Sequence, residues 1–152
     1  MNIFVLDTDP VLAAQYHCDK HCIKMILESA QMFSTVLNRG YKPTHRNHPC
    51  TLWLSQSREN AEWLYELIEQ LNRECKLRFH HNRDHSSYLL VRDGLSKYFR
   101  ELPDVPLTPF AQAMPIEYQN KDDVVKAYRD YYHGAKHSFA TWGTQKPHWW
   151  TL

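Results

Sequence analysis

Long apolar runs are missing from this sequence, and so is a leader of the secretory kind. Met1-Asn2-Ile3-Phe4-Val5-Leu6-Asp7 has neither a basic start nor an extended apolar stretch, and no segment approaches the roughly 18 residues a membrane span needs. The expectation is a soluble, cytoplasmic protein with no membrane partner. A charge of one sign is lacking too: 18 Lys and Arg stand against 17 Asp and Glu, a formal net charge of +1. Nucleic-acid-binding domains usually carry a clear basic excess. Any cationic surface must therefore be local, or come from histidine. The four cysteines form no secreted disulfide framework, since Cys18 and Cys22 lie only four positions apart on an expected helix; they read as reduced thiols, mostly buried. There is no internal repeat and no low-complexity segment.

What is present is enough apolar material for one core. With 152 residues, 43 % hydrophobic and 13 % aromatic, the chain suits one compact domain spanning residues 1–152. Its periodicity is helical almost throughout. Asp9 and Pro10 open a long first helix that runs to the Asn38-Arg39-Gly40 stop, with Leu12, Gln15, Ile23, Ile26, Ala30, Phe33 and Leu37 inward and room for a kink. Residues 41–49 read as a loop, Pro49 opens a short helical piece, and Ser57 caps a longer helix through Leu77. A third helix is expected over residues 87–100. Four prolines in residues 102–118 exclude a regular helix there, so that stretch should be an ordered loop wrapping the body. A last helix over residues 120–132, capped by Asn120, precedes an aromatic tail. The expected fold is an all-α, compact single-domain bundle.

The chemistry concentrates in the first helix. His17, His21, Lys24, Glu28 and Gln31 recur at i, i+4, i+7, i+11 and i+14 and so share one face. An ordinary solvated face would favour Lys, Glu and Arg over histidine. His17 and His21 have the spacing of a metal-ligating pair, and zinc would need a third ligand such as Glu28, His45, His48 or His137. A hydrogen-bonded structural pair is the commoner use of that spacing. Lys24 and Glu28 are either a plain intrahelical ion pair or, beside imidazoles in a pocket, a nucleophile and an acid/base. In the tail, Tyr131 and Tyr132 can stack on bases while Lys136 and His137 meet phosphates. Trp142 reads as packing.

The order of elements also resembles a known family. An apolar start, a first helix ending in Ala30-Gln31 and then Asn38-Arg39-Gly40-Tyr41, a loop closing in His48-Pro49 and a helix ending in Arg73-Glu74-Cys75-Lys76-Leu77-Arg78-Phe79 resemble the pyrimidine-dimer DNA glycosylases of the endonuclease V type over about the first eighty residues. The resemblance implies a helical domain that binds DNA and cuts a glycosidic bond, with the chain's α-amine as nucleophile and a glutamate of the first helix beside it. Matched on its flanking residues, that glutamate falls at Lys24 to Ile26, and Glu28 is the carboxylate nearby. The family exposes a residue-2 amine, and residue 2 here is Asn2.

The reading is a DNA- or nucleotide-processing enzyme, leaning to a phage-like DNA glycosylase and lyase of DNA repair, with no cofactor, or with zinc on His17 and His21. Lys24, Glu28, His21 and His17 are the expected catalytic set. Gln31, His45, Arg46, His48, Tyr131, Tyr132, Lys136 and His137 are expected to bind substrate. Two alternatives stand beside it: a metal-dependent hydrolase built on His17 and His21, and a non-catalytic nucleic-acid-binding protein.

Overall fold

The apolar residues Ile3, Phe4, Val5 and Leu6 at the start of the chain are all buried, and the helices close around them. The computed structural model describes residues 1–151. Among them every regular element is helical, which makes the fold all-α. The helices are α1 (Pro10–Tyr16), α2 (Asp19–Leu37), α3 (Pro49–Ser55), α4 (Arg58–Phe79), α5 (Ser86–Leu89) and α6 (Val124–Tyr131). α4 packs along both α1 and α2, so these three form the body of the bundle. Among the described residues no helix is long and apolar enough to cross a membrane.

The expected long first helix is two helices. Asp9 caps α1 by accepting from the Val11 N–H, as its position before Pro10 implies. The chain then turns extended at His17 and Cys18 before α2 begins. Arg78 of α4 explains why the break is stable: its guanidinium, fully buried, donates to the Gln15 and His17 carbonyls at 2.9 and 2.7 Å, satisfying acceptors that α1 leaves free. The break also resets the helical phase. Cys22, Met25, Ser29 and Met32 face inward on α2, while Ile23 and Leu27, on its outer face, are 43 % and 40 % exposed.

Ser57 caps α4 as expected, accepting from the Glu59 and Asn60 N–H groups. The run after α5 continues as a π turn over Leu90–Leu95 and a 3-10 turn over Ser96–Glu101. Residues 102–118 do wrap the body. Thr108 N–H donates to Asn60 Oδ1, Ser57 Oγ donates to the Val105 carbonyl, and Phe110 packs against Trp53 and Trp63. Leu107 and Ile116 nonetheless stay exposed. The last helix starts later than residue 120 because Asp123 is its cap; Asn120 closes the preceding turn instead, accepting from the Asp122 and Asp123 amides. In the tail Trp142 is buried and donates to the Tyr16 carbonyl.

Candidate functional site

The N-terminal segment does more than fill the core. Asn2 is buried, donates from Nδ2 to the Ala113 carbonyl at 2.8 Å, and accepts the Ile3 and Phe4 N–H groups on Oδ1. Phe4 sits at φ 36°, a left-handed conformation that costs a non-glycine residue of the order of 1–3 kcal/mol. Its ring stacks on His21 with centroids 4.4 Å apart. This anchored, strained start directs the α-amine of Met1 onto α2, where it lies 2.8 Å from Glu28 Oε1.

Met1, Lys24, Glu28, His21, Tyr131 and Lys136 line one cavity of about 160 Å³. The other carboxylate oxygen, Glu28 Oε2, is buried without a hydrogen-bond partner, and Lys24 Nζ is 3.9 Å away. Lys24 itself is largely exposed. The carboxylate is thus held by the amine on Oε1, while Oε2 is sealed from solvent without a hydrogen bond.

His21 forms the wall of this cavity. Tyr132 OH lies 2.7 Å from His21 Nδ1 and accepts the Cys18 N–H at 3.3 Å, so the fully buried Tyr132 fixes the imidazole from behind. Burial first, and then the charges of His17, Lys136, Lys24 and Lys20, push His21 down to about 3. The imidazole is neutral at physiological pH. Lys24 and Lys136 line the cavity with His21, and Lys20 Nζ lies 4.7 Å over the Phe139 ring that packs against this imidazole, a local cationic field that the net charge of +1 conceals. Lys136 Nζ sits 4.7 Å above the Tyr131 ring and 5.9 Å from the Phe4 ring.

The remaining expected residues are distributed more widely. His17 lies in the break between α1 and α2, fully buried, its Nδ1–H donating to the Ala13 carbonyl at 2.7 Å and its Nε2 without a partner. Burial lowers it to about 4. His17 and His21 belong to different local structures, and no group of three or more His, Cys, Asp or Glu side chains able to hold a metal ion gathers among the described residues. The pair therefore lacks the further ligand that zinc requires. His48 caps α3, accepting the Cys50 N–H on Nδ1; burial, then the N-terminal charge and His45, lower it. His45 and Arg46 are exposed on the same loop. Gln31, one turn beyond Glu28, lines a neighbouring groove with Leu27, Tyr41 and Thr44. His137 is exposed beside Lys136.

Asn2, Phe4 and Lys20 are contributors that residue spacing did not single out. Only the polar residue in an otherwise apolar start hinted at Asn2. Nothing local marks Phe4 for its conformation.

A family model described as pyrimidine dimer DNA glycosylase matches residues 1–87. No curated protein and no solved structure matches the chain. The matched residues include both members of the amine–carboxylate pair, Met1 and Glu28, while Ala113, Tyr131 and Lys136 lie beyond them. The match covers more than half of the 152 residues, and the chain belongs to the pyrimidine dimer DNA glycosylase family.

Proposed function

We propose that the protein is a DNA glycosylase with lyase activity, in which the Met1 α-amine is the nucleophile and Glu28 its catalytic carboxylate. The observation that carries this reading is the 2.8 Å contact between the amine and Glu28 inside a cavity, with Oε2 of the same carboxylate without a hydrogen bond. Lys24 is the weaker candidate for attack. The α-amine touches Glu28 Oε1 at 2.8 Å, whereas Lys24 Nζ comes no nearer the carboxylate than 3.9 Å. Lys24 also projects into solvent.

In the proposed reaction the neutral amine attacks C1′ of a damaged nucleotide. The N–C1′ bond forms, the glycosidic bond breaks with its electron pair going to the base, and the base takes up a proton. Opening of the C1′–O4′ bond then yields an iminium, O4′ taking up a proton from water to become the 4′-hydroxyl, and the Glu28 carboxylate lies against the developing positive charge. Loss of a C2′ proton with departure of the 3′-phosphate cuts the strand, and water hydrolyses the imine to return the amine. His21, neutral and held by Tyr132, is a hydrogen-bonding wall rather than a phosphate-binding cation. Phosphate contacts fall to Lys24 and Lys136, which line the cavity, and to Lys20 one turn before Lys24, with the exposed His45, Arg46 and His137 as further donors. Tyr131 offers a face on which a base can stack. The alternative of a binding protein without turnover makes the same contacts but forms no covalent intermediate.

Borohydride trapping on duplexes bearing a pyrimidine dimer or an abasic site tests the reading. The expected result is a covalent protein–DNA adduct whose modified peptide is the N-terminal one. The absence of adduct on every such substrate would overturn the lyase reaction, and an adduct at Lys24 would reassign the nucleophile.

A further inference from the structure

On the side of α2 away from Glu28, two thiols meet. Cys22 Sγ of α2 and Cys75 Sγ of α4 lie 3.4 Å apart, and Cys22 Sγ is also 3.5 Å from the Leu71 carbonyl. The two are not equivalent. Cys22 is sealed, with no accessible surface. Cys75 is 6 % exposed and lines a hollow of about 170 Å³ together with Ile23, Asn72, His81, Arg83 and His85. That hollow is wide enough for a hydroperoxide. The reaction proposed for the amine and Glu28 uses neither thiol.

We propose that Cys75 and Cys22 form an oxidisable pair, with Cys75 the thiol that meets a hydroperoxide and Cys22 the one that resolves it into a disulfide joining α2 to α4. The chemistry balances. The Cys75 thiolate attacks the peroxide, an S–O bond forms and the O–O bond breaks, and the leaving oxide takes a proton to become water or an alcohol. Cys22 sulfur then attacks the Cys75 sulfenic sulfur; the S–S bond forms, and the departing oxygen leaves as water with the Cys22 proton. Two electrons from the two thiols reduce the peroxide. Access sets this order: Cys75 borders the hollow, whereas Cys22 is sealed behind it between α2 and α4. The attacking thiol is thus the one beside the hollow.

The test is a thiol map of the full-length protein after exposure to hydrogen peroxide, with alkylation under denaturing conditions and non-reducing peptide analysis. The expected result is one linked peptide pair, Cys22 with Cys75, reversed by dithiothreitol, while Cys18 and Cys50 remain alkylated. In Cys22→Ala, dimedone should label Cys75; in Cys75→Ala, Cys22 should stay a thiol. Four alkylated thiols after an exposure that fully oxidises free cysteine in the same solution would overturn the proposal, as would a link involving Cys18 or Cys50. Oxidation of Cys22 in Cys75→Ala would overturn the assigned order. The wild-type map decides the pairing even where a variant folds poorly.

Discussion

Met1 and Glu28 are joined by an ion pair whose geometry is asymmetric: Oε1 holds the α-amine at 2.8 Å, while the buried Oε2 has no hydrogen bond and only Lys24 Nζ at 3.9 Å. A buried carboxylate oxygen without a hydrogen bond is costly, and Glu28 lines the cavity where a cation is proposed to develop. Glu28→Gln keeps the shape and removes the charge. Single-turnover kinetics on a dimer-containing duplex should slow by about 10²–10³-fold, the usual consequence of removing one preorganised electrostatic contact. DNA affinity, measured separately, should change little. An unchanged rate would remove Glu28 from the chemistry.

The position of the amine makes a second outcome specific. Asn2 is spent on anchoring the chain to Ala113 and on capping its own following amides. A chain beginning at Asn2 would carry its amine one residue, about 3.8 Å of backbone, back from Glu28. Intact mass of the active protein should therefore include Met1, and the trapped adduct should map to it. Lys24→Ala should leave trapping within a few-fold of wild type. Full activity in a population lacking Met1 would contradict the assignment.

Much of the fold was legible because the strongest local signals are physical obligations. Asp9 before Pro10, Ser57 before α4 and the four prolines of residues 102–118 each act where they stand. The break at His17 and Cys18 was not legible in local pattern, because it is stabilised from α4 by Arg78, 61 residues away. That break separates His17 from the other four residues of the expected stripe. Lys24, Glu28 and Gln31 do remain on the outer and intermediate surface of α2, and His21 turns inward toward Phe4. Matching by flanking residues put the glutamate position at Lys24 to Ile26; the structure puts Glu28 against the amine.

The cationic field around His21 gives a prediction in binding. Lys136 stands over Tyr131 at the edge of the cavity. Lys136→Ala should weaken DNA binding about equally for damaged and undamaged duplex and lower the slope of log K against log salt by about 1, as expected for one lost phosphate contact. An unchanged slope would take Lys136 out of the interface.

Arg78 is the principal tie between α4 and the break before α2. It pairs with Glu74 at 2.9 Å and Asp19 at 3.2 Å and satisfies two carbonyls besides. Arg78→Met would leave those acceptors and carboxylates without their donor. Removing one member of a buried pair costs about 3–5 kcal/mol, so the melting temperature should fall by of the order of 10 °C. Arg78→Lys should recover little of this, since an ammonium cannot reproduce the planar fork that reaches four acceptors. A variant melting within a degree or two of wild type would show that the break is held elsewhere.

The two buried histidines determine how the fold responds to acid. His17 is lowered to about 4 and His21 to about 3, chiefly by burial, whereas an unfolded histidine titrates near 6.5. Between those values the unfolded chain binds protons that the folded chain refuses, so stability rises with pH across this window. The contribution is complete above about pH 6.5 and is lost progressively as the pH falls toward 4 for His17 and 3 for His21. His21→Phe keeps an aromatic ring against Phe4 and removes one of the two titrations. Denaturant midpoints from pH 7 to 4.5 should fall less steeply in this variant than in wild type, although its stability at pH 7 is reduced by the lost contact with Tyr132. Equal slopes would mean that His21 charges as readily in the folded protein as in the unfolded chain, which its burial and three neighbouring ammonium groups make unfavourable.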